Sequence, residues 1–173
     1  MAKSTLTANK NFLQPTGFRV SIDNTLFGNV QFFAQSISHP GASTNAVEVG
    51  IPRVTGIPFS GSKITYSDLT VNLILDEDMQ SYTELQKWME RLVNEKEVRP
   101  GDRYRGQVEK DETYSDITVT ILTSQNNSNL RIRYNDAIIT NLGSFELNAN
   151  ANDITYIQFP ATFRFRDFEI VKL

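Results

Sequence analysis

Residues 76–94 carry the one sustained helical pattern in this chain of 173 residues. Apolar side chains recur there at steps of three and four and fall on one face. They are Met79, Tyr82, Leu85, Trp88, Met89 and Leu92. The acidic residues 76–78 stand at the start, where a helix favours negative charge, and Ser81 with Glu84 offers a capping box if the helix begins a turn later. The pattern predicts an amphipathic helix whose aromatic stripe packs on a core and binds no ligand.

Nearly all the rest of the chain predicts strands and turns. Apolar residues alternate with polar ones at a period of two, which is typical of half-buried strands. The predicted strands are 17–23, 30–38, 69–75, 116–124, 130–135, 137–147 with a break at 141–143, and 154–170 with a bulge, bend or edge position at Pro160. The first two are expected to pair as a hairpin. We therefore predict a mainly β fold, a sandwich or barrel of two packed antiparallel sheets, on which the helix docks as a lid.

The length and composition fit one domain. A chain of this size buries a substantial core without a disulfide or a metal. Residues 1–15 are polar and are predicted to form a flexible N-terminal arm, which leaves 16–173 as a single β domain. Residues 95–115 carry mixed charges around Pro100 and Gly101, which is typical of a solvated polar loop.

Residues 40–66 form an extended arm that is unusual for a surface loop. Prolines confine such a segment to edge or exposed strands, because they cannot donate to a ladder. Yet the segment holds many apolar residues, and we take these as candidate inter-subunit contacts: Val47, Val49, Ile51, Pro52, Val54, Ile57 and Phe59. Two interpretations stay open. The segment forms edge strands that wrap its own core, or it projects and is buried by a neighbouring subunit.

The composition excludes several kinds of chemistry. The chain has no cysteine, so thiolate nucleophiles and thiolate metal sites are excluded, and one histidine, His39, gives no multi-histidine site. The three acidic residues 76–78 are explained by capping, and no phosphate-binding glycine motif occurs. We predict no catalytic, cofactor or metal site, and hence no enzyme. A formal net charge of −3 argues against tight electrostatic binding of nucleic acid.

No secretory signal or membrane-spanning run is evident, so we expect a product of the cytosol without a membrane partner. A second set of polar residues recurs along the predicted strands: Thr118, Thr120, Arg131, Arg133, Asn148, Asn150, Asn152, Arg164 and Arg166. In a separate domain this is the solvated face of a sheet. In a ring of copies joined at their strand edges, it is the wall of a water-filled lumen.

Four phrases of the sequence, FLQPTGFRVSI, VQFFAQSISHPG, GSKITYSDLTVNLILDEDMQSYTELQKWM and DITVTILTSQNN, resemble tail tube-like proteins of contractile-tailed bacteriophages. The resemblance runs from Phe12 to Ile170. It implies a β-sandwich or barrel with one helix, assembled as stacked hexameric rings whose inner β-barrel is a conduit for DNA. It assigns the arm to contacts between rings or neighbouring subunits and places the helix outside the lumen.

The function expected from this resemblance is that of a structural subunit of a phage tail tube. It implies sheath and baseplate proteins as partners, DNA that passes without specific binding, no cofactor, and a place in the virion after synthesis in the host cytoplasm. Two alternatives remain: a tube-like baseplate, initiator or neck ring subunit of the same fold, and a monomeric ligand-binding β domain.

Overall fold

The computed structural model describes residues 13, 15–22, 30–51, 54–93, 114–148 and 156–173, and for 31, 32, 47, 49–51 and 54–57 it describes the backbone. Two helices and eleven strands lie within these ranges. The helices are α1 (Val30–Phe33) and α2 (Gln80–Val93). The strands are β1 (Phe18–Ser21), β2 (Ala34–Ser38), β3 (Ala42–Thr44), β4 (Val47–Ile51), β5 (Val54–Phe59), β6 (Ile64–Tyr66), β7 (Leu69–Ile74), β8 (Ser115–Leu122), β9 (Ser128–Leu142), β10 (Gln158–Arg164) and β11 (Asp167–Lys172). Among the described residues no helix is long and apolar enough to cross a membrane.

The main body is an antiparallel array in the order β1-β8-β9-β10-β7-β2, with β11 paired to β9. The first part of β9 pairs with β8 on one side and β11 on the other, and its last part pairs with β10. Strand β9 therefore belongs to both layers. One layer is β1-β8-β9-β11, with β1 and β11 at its edges, and the other is β9-β10-β7-β2, with β2 at its edge. The predicted fold of two packed antiparallel sheets with one amphipathic helix is confirmed.

A bulge at Asp136 lets β9 serve both layers. Ile132 and Tyr134 are buried before it, and Ala137 and Ile139 are buried after it, so the inward positions change from even to odd numbers. The cause is an extra residue on β9, since the register with β8 shifts there and Asp136 has a φ of 50°. A bulge bends a strand and resets which residues face inward. The prediction of separate strands at 130–135 and 137–147 is thus wrong, because one strand runs through Asp136.

The helix packs its apolar face on this array. Leu85 and Trp88 are buried, and the ring centroid of Trp88 lies 5.9 Å from that of Phe163 on β10. Tyr82 meets Phe159 edge to face at 5.2 Å. These contacts confirm the predicted role of the aromatic stripe as core packing.

The helix begins after an Asp76 cap. The backbone amide of Gln80 donates to the Asp76 carboxylate at 2.8 Å, and both the amide and the hydroxyl of Ser81 donate to it as well. Met79 precedes the helix and has a φ of 53°. Ser81 is buried inside the first turn. The helix therefore does not begin a turn later, which was the condition for a capping box of Ser81 with Glu84.

Three further sequence predictions are corrected. Residues 30–33 form the helical turn α1, so the predicted strand 30–38 is shortened to β2. Strands β1 and β2 do not pair as a hairpin, because β1 pairs with β8 and β2 with β7. The segment 154–170 divides at residues 165–166, not at Pro160, which lies within β10. The predictions for 1–15 and 95–115 lie outside the described residues, apart from Leu13, Pro15, Tyr114 and Ser115.

Candidate assembly surfaces

Residues 42–66 form a two-stranded ribbon that pairs with no strand of the main array. Its stem joins β3 to β6, and its outer part joins β4 to β5. In the outer part apolar residues stand opposite one another: Val47 with Phe59, and Val49 with Ile57. The intervening pair is Glu48 with Pro58. Because positions alternate between faces, the register gives the ribbon one face made of apolar residues.

A close backbone approach at Gly61 connects the two parts of the ribbon. A Cβ built at Gly61 would lie 2.0 Å from the carbonyl oxygen of Asn45. No side chain fits at that distance, so the strands come together here only because the residue is glycine. The stem is anchored on the body, where the Tyr66 ring packs on Phe165 and Phe168 at 5.6 and 5.3 Å.

The ribbon exposes apolar side chains on both sides of the join at Gly61. Phe59 is 56% exposed and Ile64 is 58% exposed. A two-stranded hairpin is at best marginally stable in water unless a third strand or another layer packs on it. Of the candidate contact residues, six lie on β4 and β5, and Pro52 lies outside the described residues.

The second apolar surface is the inner face of the layer β1-β8-β9-β11. The register places Phe18, Ile121, Ile132 and Ile170 on this face, and we call these four residues the inner strip. Ile132 is 9% exposed, whereas Ile170, directly opposite it on β11, is 59% exposed. The core face of this layer thus continues onto β11, beyond the part that the rest of the domain covers.

A cavity of about 240 Å³ opens over the inner strip, between this layer and the edge strand β2. Its apolar lining includes Leu13, Phe18, Ile37, Val119, Ile121 and Ile132. Its polar groups come from Gln35, Ser36, His39 and Tyr134. Ile132 lines the cavity and stands opposite the exposed Ile170 on β11. The sequence analysis found neither feature, because both depend on how far one layer overlaps the other.

His39 follows β2 and is held by aromatic neighbours. Its Nδ1 lies 2.7 Å from the Tyr134 hydroxyl, and its ring meets Phe168 edge to face at 5.1 Å. Burial raises the pKa of Tyr134 to about 12. The described residues around His39 thus pack on its ring and give it a hydrogen-bond partner.

The outward face of the same layer is polar. Thr118 stands opposite Arg133, which stands opposite Glu169, and Thr120 stands opposite Arg131. The predicted polar positions Asn150 and Asn152 lie outside the described residues.

Three exposed arginines of the described residues carry carboxylate partners, and one of them, Arg133, lies on this face. Arg133 pairs with Asp116, Arg164 with Asp68, and Arg166 with both Asp136 and Asp167. The hydrogen bond to Asp116 raises the pKa of Arg133, and the hydrogen bond from Asn135, followed by that from Arg166, lowers the pKa of Asp167. The pairs are exposed, so each contributes little to stability. Their effect is to balance the positive charge of the face locally.

The other acidic residues considered in the sequence have structural roles. Asp76 caps α2: burial opposes ionisation, but hydrogen bonds from Ser81 and Gln80 outweigh it and lower the pKa of Asp76. Within the described ranges no three His, Asp or Glu side chains come together as a set of metal ligands.

These features define a class of protein: a β-sandwich with a partly exposed apolar strip, a separate two-stranded ribbon and a polar outer face. The chain belongs to the phage tail tube protein family, whose model matches residues 5–171. It is therefore a structural protein, not an enzyme. No curated protein sequence matches it.

Solved structures share its fold. A chain of the sheath–tube complex of an extracellular contractile injection system in the extended state is 19% identical, with a TM-score of 0.66 over 98% of this chain and 100% of that one. A chain of the cap that terminates the anti-feeding prophage tube is 15% identical, with a TM-score of 0.67 over 98% and 97%. A chain of the anti-feeding prophage baseplate is 11% identical, with a TM-score of 0.62 over 99% and 97%.

Proposed function

We propose that this protein is the repeating subunit of a phage tail tube, in which residues 16–173 form one domain. Copies assemble as hexameric rings, the rings stack, and strands of successive copies close an inner β-barrel through which DNA passes. The subunit works in the virion with sheath and baseplate proteins. The observation that carries the proposal is the match of the tail tube family to residues 5–171.

The free surfaces of the subunit support self-association. Strands β1 and β2 end the main array, so each has an outer edge without a described partner. Closing copies into a barrel removes such edges, which otherwise invite uncontrolled pairing. The ribbon adds apolar residues at Val47, Val49, Ile51, Pro52, Val54, Ile57 and Phe59, which we assign to contacts between copies.

The polar outward face suits the wall of the conduit. Threonines and arginines line it, and Arg133 is paired with Asp116. Affinity for DNA rises with each phosphate that a protein cation neutralises. The ion pair of Arg133 lowers the positive charge that the wall presents to DNA, so we propose that DNA slides past without being held.

A specialised ring is the second candidate. The fold also occurs in the cap and baseplate chains described above, with TM-scores of 0.67 and 0.62. A subunit of that kind forms one ring at the end of a tube and does not polymerise.

Negative-stain electron microscopy with light scattering on the same sample tests the proposal. Stacked rings or tubes with a central channel are the expected result. Single rings that never stack would support the specialised ring instead. A particle of monomer mass that stays monomeric when seeded with preformed baseplates would contradict both. Saturable binding of a small ligand to that monomer would favour a ligand-binding domain.

A further inference from the structure

We propose that Arg19 and Arg131, with Thr120 between them, form a phosphate-binding row on the outward face of the layer β1-β8-β9-β11. The ligand is the sugar-phosphate backbone of a nucleic acid. This inference rests on the proposed function, because it puts the row on the wall of the conduit and names the part of the DNA that the wall contacts. We call these three residues the arginine row.

The pairing of three neighbouring strands brings the arginine row together. Arg19 on β1 stands opposite Thr120 on β8, and Thr120 stands opposite Arg131 on β9. Val20 and Ile132, the next residues along β1 and β9, are buried, so the two arginines point away from the core. Both arginines are exposed. Two strand spacings separate their backbones, which is roughly 10 Å.

The arginine row is not neutralised by any described carboxylate. The ion pairs among the described residues involve Arg133, Arg164 and Arg166, and neither arginine of the row takes part in one. The residue opposite Arg131 on β11 is Val171, which carries no charge. Positive charge is therefore concentrated at this level of the face.

The neighbouring level of the same face carries carboxylates. Arg133, two residues along β9 from the arginine row, stands opposite Glu169 and is paired with Asp116. Beyond it, Asp167 stands opposite Asn135. Carboxylates repel phosphates, so among the described residues of this face the arginine row is the place that attracts a phosphate.

The side chains of the arginine row suit a phosphate ligand. A guanidinium group forms two parallel N–H···O bonds with a phosphate, and a threonine hydroxyl donates to a phosphate oxygen as well. These contacts do not read the bases, so they are independent of DNA sequence. In a ring of copies the row recurs at one level of the wall, and each copy adds two cations. DNA then moves from one set of phosphates to the next without a fixed register, which agrees with a conduit that does not hold it.

Binding of a short fluorescein-labelled oligothymidylate, followed by fluorescence anisotropy, tests the arginine row. The protein is first assembled into rings or tubes, which are checked by electron microscopy of the same sample. The test variant is Arg19→Gln with Arg131→Gln. The matched control is Lys87→Gln with Arg91→Gln, which removes the same charge from two exposed positions of α2, a helix that packs on β10.

At low salt we expect the dissociation constant of the test variant to be about tenfold higher or more, and its affinity to fall less steeply as salt is added. The control should stay within about twofold of the unmodified protein. Unchanged binding by the test variant, or equal losses in both variants, would overturn the row. Assembled rings or tubes of the unmodified protein that bind no oligonucleotide would overturn this inference and leave the proposed function intact. Absence of any rings or tubes would overturn both.

A second measurement covers a test variant that does not assemble. Inorganic tripolyphosphate is titrated into the dilute, unassembled unmodified protein, and its backbone amide signals are followed by NMR. Signal shifts centred on Arg19, Thr120 and Arg131 are the expected result. Shifts centred on other residues, or no shifts at all, would overturn the row.

Discussion

The Nδ1 atom of His39 lies 2.7 Å from the hydroxyl oxygen of Tyr134, which is 1% exposed. Burial raises the pKa of Tyr134 from 10.0 to about 12. Between these two values the unfolded chain releases the phenol proton and the folded protein keeps it. The buried neutral phenol therefore makes its full contribution to the free energy of unfolding below pH 10, and this contribution is lost as the pH rises toward 12.

The variant Tyr134→Phe removes this pH dependence. At pH 8 it loses the hydrogen bond to His39, which costs roughly 0.5–1.5 kcal/mol. Between pH 10 and 12 the free energy of unfolding of the unmodified protein falls by about 2 to 3 kcal/mol, and that of the variant does not. The difference in stability between the two proteins therefore shrinks or reverses. Urea unfolding across this pH range gives the measurement, with Tyr156→Phe, whose side chain is 78% exposed, as the control. Parallel pH curves for Tyr134→Phe and the unmodified protein would contradict the assignment.

Asp76 stabilises the start of α2 through its charge. Its carboxylate accepts hydrogen bonds from the amides of Gln80 and Ser81. We expect Asp76→Ala to lower the free energy of unfolding by about 1 kcal/mol at neutral pH, and Asp76→Asn to lower it less because an acceptor remains. Asp78→Ala, at an exposed position, should change it by less than about 0.5 kcal/mol.

The pH dependence of this cap has the opposite sign to that of Tyr134. The pKa of Asp76 is lowered in the folded protein, so its contribution is present above 3.8, the value for a free carboxyl, and is lost as the pH falls through the folded value. Urea unfolding followed by the fluorescence of Trp88 measures the gap between Asp76→Ala and the unmodified protein. A gap that stays constant down to the lowest pH at which the protein is folded would exclude a charge-dependent cap.

The sequence was sufficient for the parts of the fold that depend on local periodicity. The helix face of Leu85 and Trp88 and the alternation of Leu69, Val71 and Leu73 in β7 follow from spacing alone, and both are confirmed. The family resemblance was also confirmed, because it rests on phrases spread along most of the chain.

Features that depend on distant parts of the chain were missed. Asp136 looks like a turn residue, and only pairing with both β8 and β10 makes it a bulge within one strand. The hairpin expected between the first two strands failed because β1 finds its partner about a hundred residues later, at Ile121 and Val119. The inner strip has no sequence signal, since Ile132 and Ile170 look alike until the overlap of the layers buries one and exposes the other.

Gly61 controls the geometry of the ribbon. Gly61→Ala places a Cβ against the Asn45 carbonyl, where the space is 2.0 Å, so the strands must separate at the join. We expect impaired assembly, measured by light scattering, with the free energy of unfolding of the core within about 0.5 kcal/mol of the unmodified protein. Gly41→Ala is the matched control, because its Cβ would meet the Ser67 hydroxyl at an ordinary 3.7 Å. Normal assembly of Gly61→Ala would show that the ribbon tolerates a shift at this position.

The double variant Ile57→Asp and Phe59→Asp tests the ribbon as the assembly contact. Both residues stand on β5, opposite Val49 and Val47, and two carboxylates there would have to be desolvated on docking. We expect ring or tube formation to be abolished in electron micrographs, while circular dichroism and Trp88 fluorescence report a folded monomer, because β5 pairs with no strand of the main array and Phe59 is exposed. Ser62→Asp adds negative charge to the same ribbon at an exposed position outside the paired strands, and it should assemble normally. If the double variant formed rings as efficiently as Ser62→Asp, the contacts between copies would lie elsewhere, on the strand edges alone.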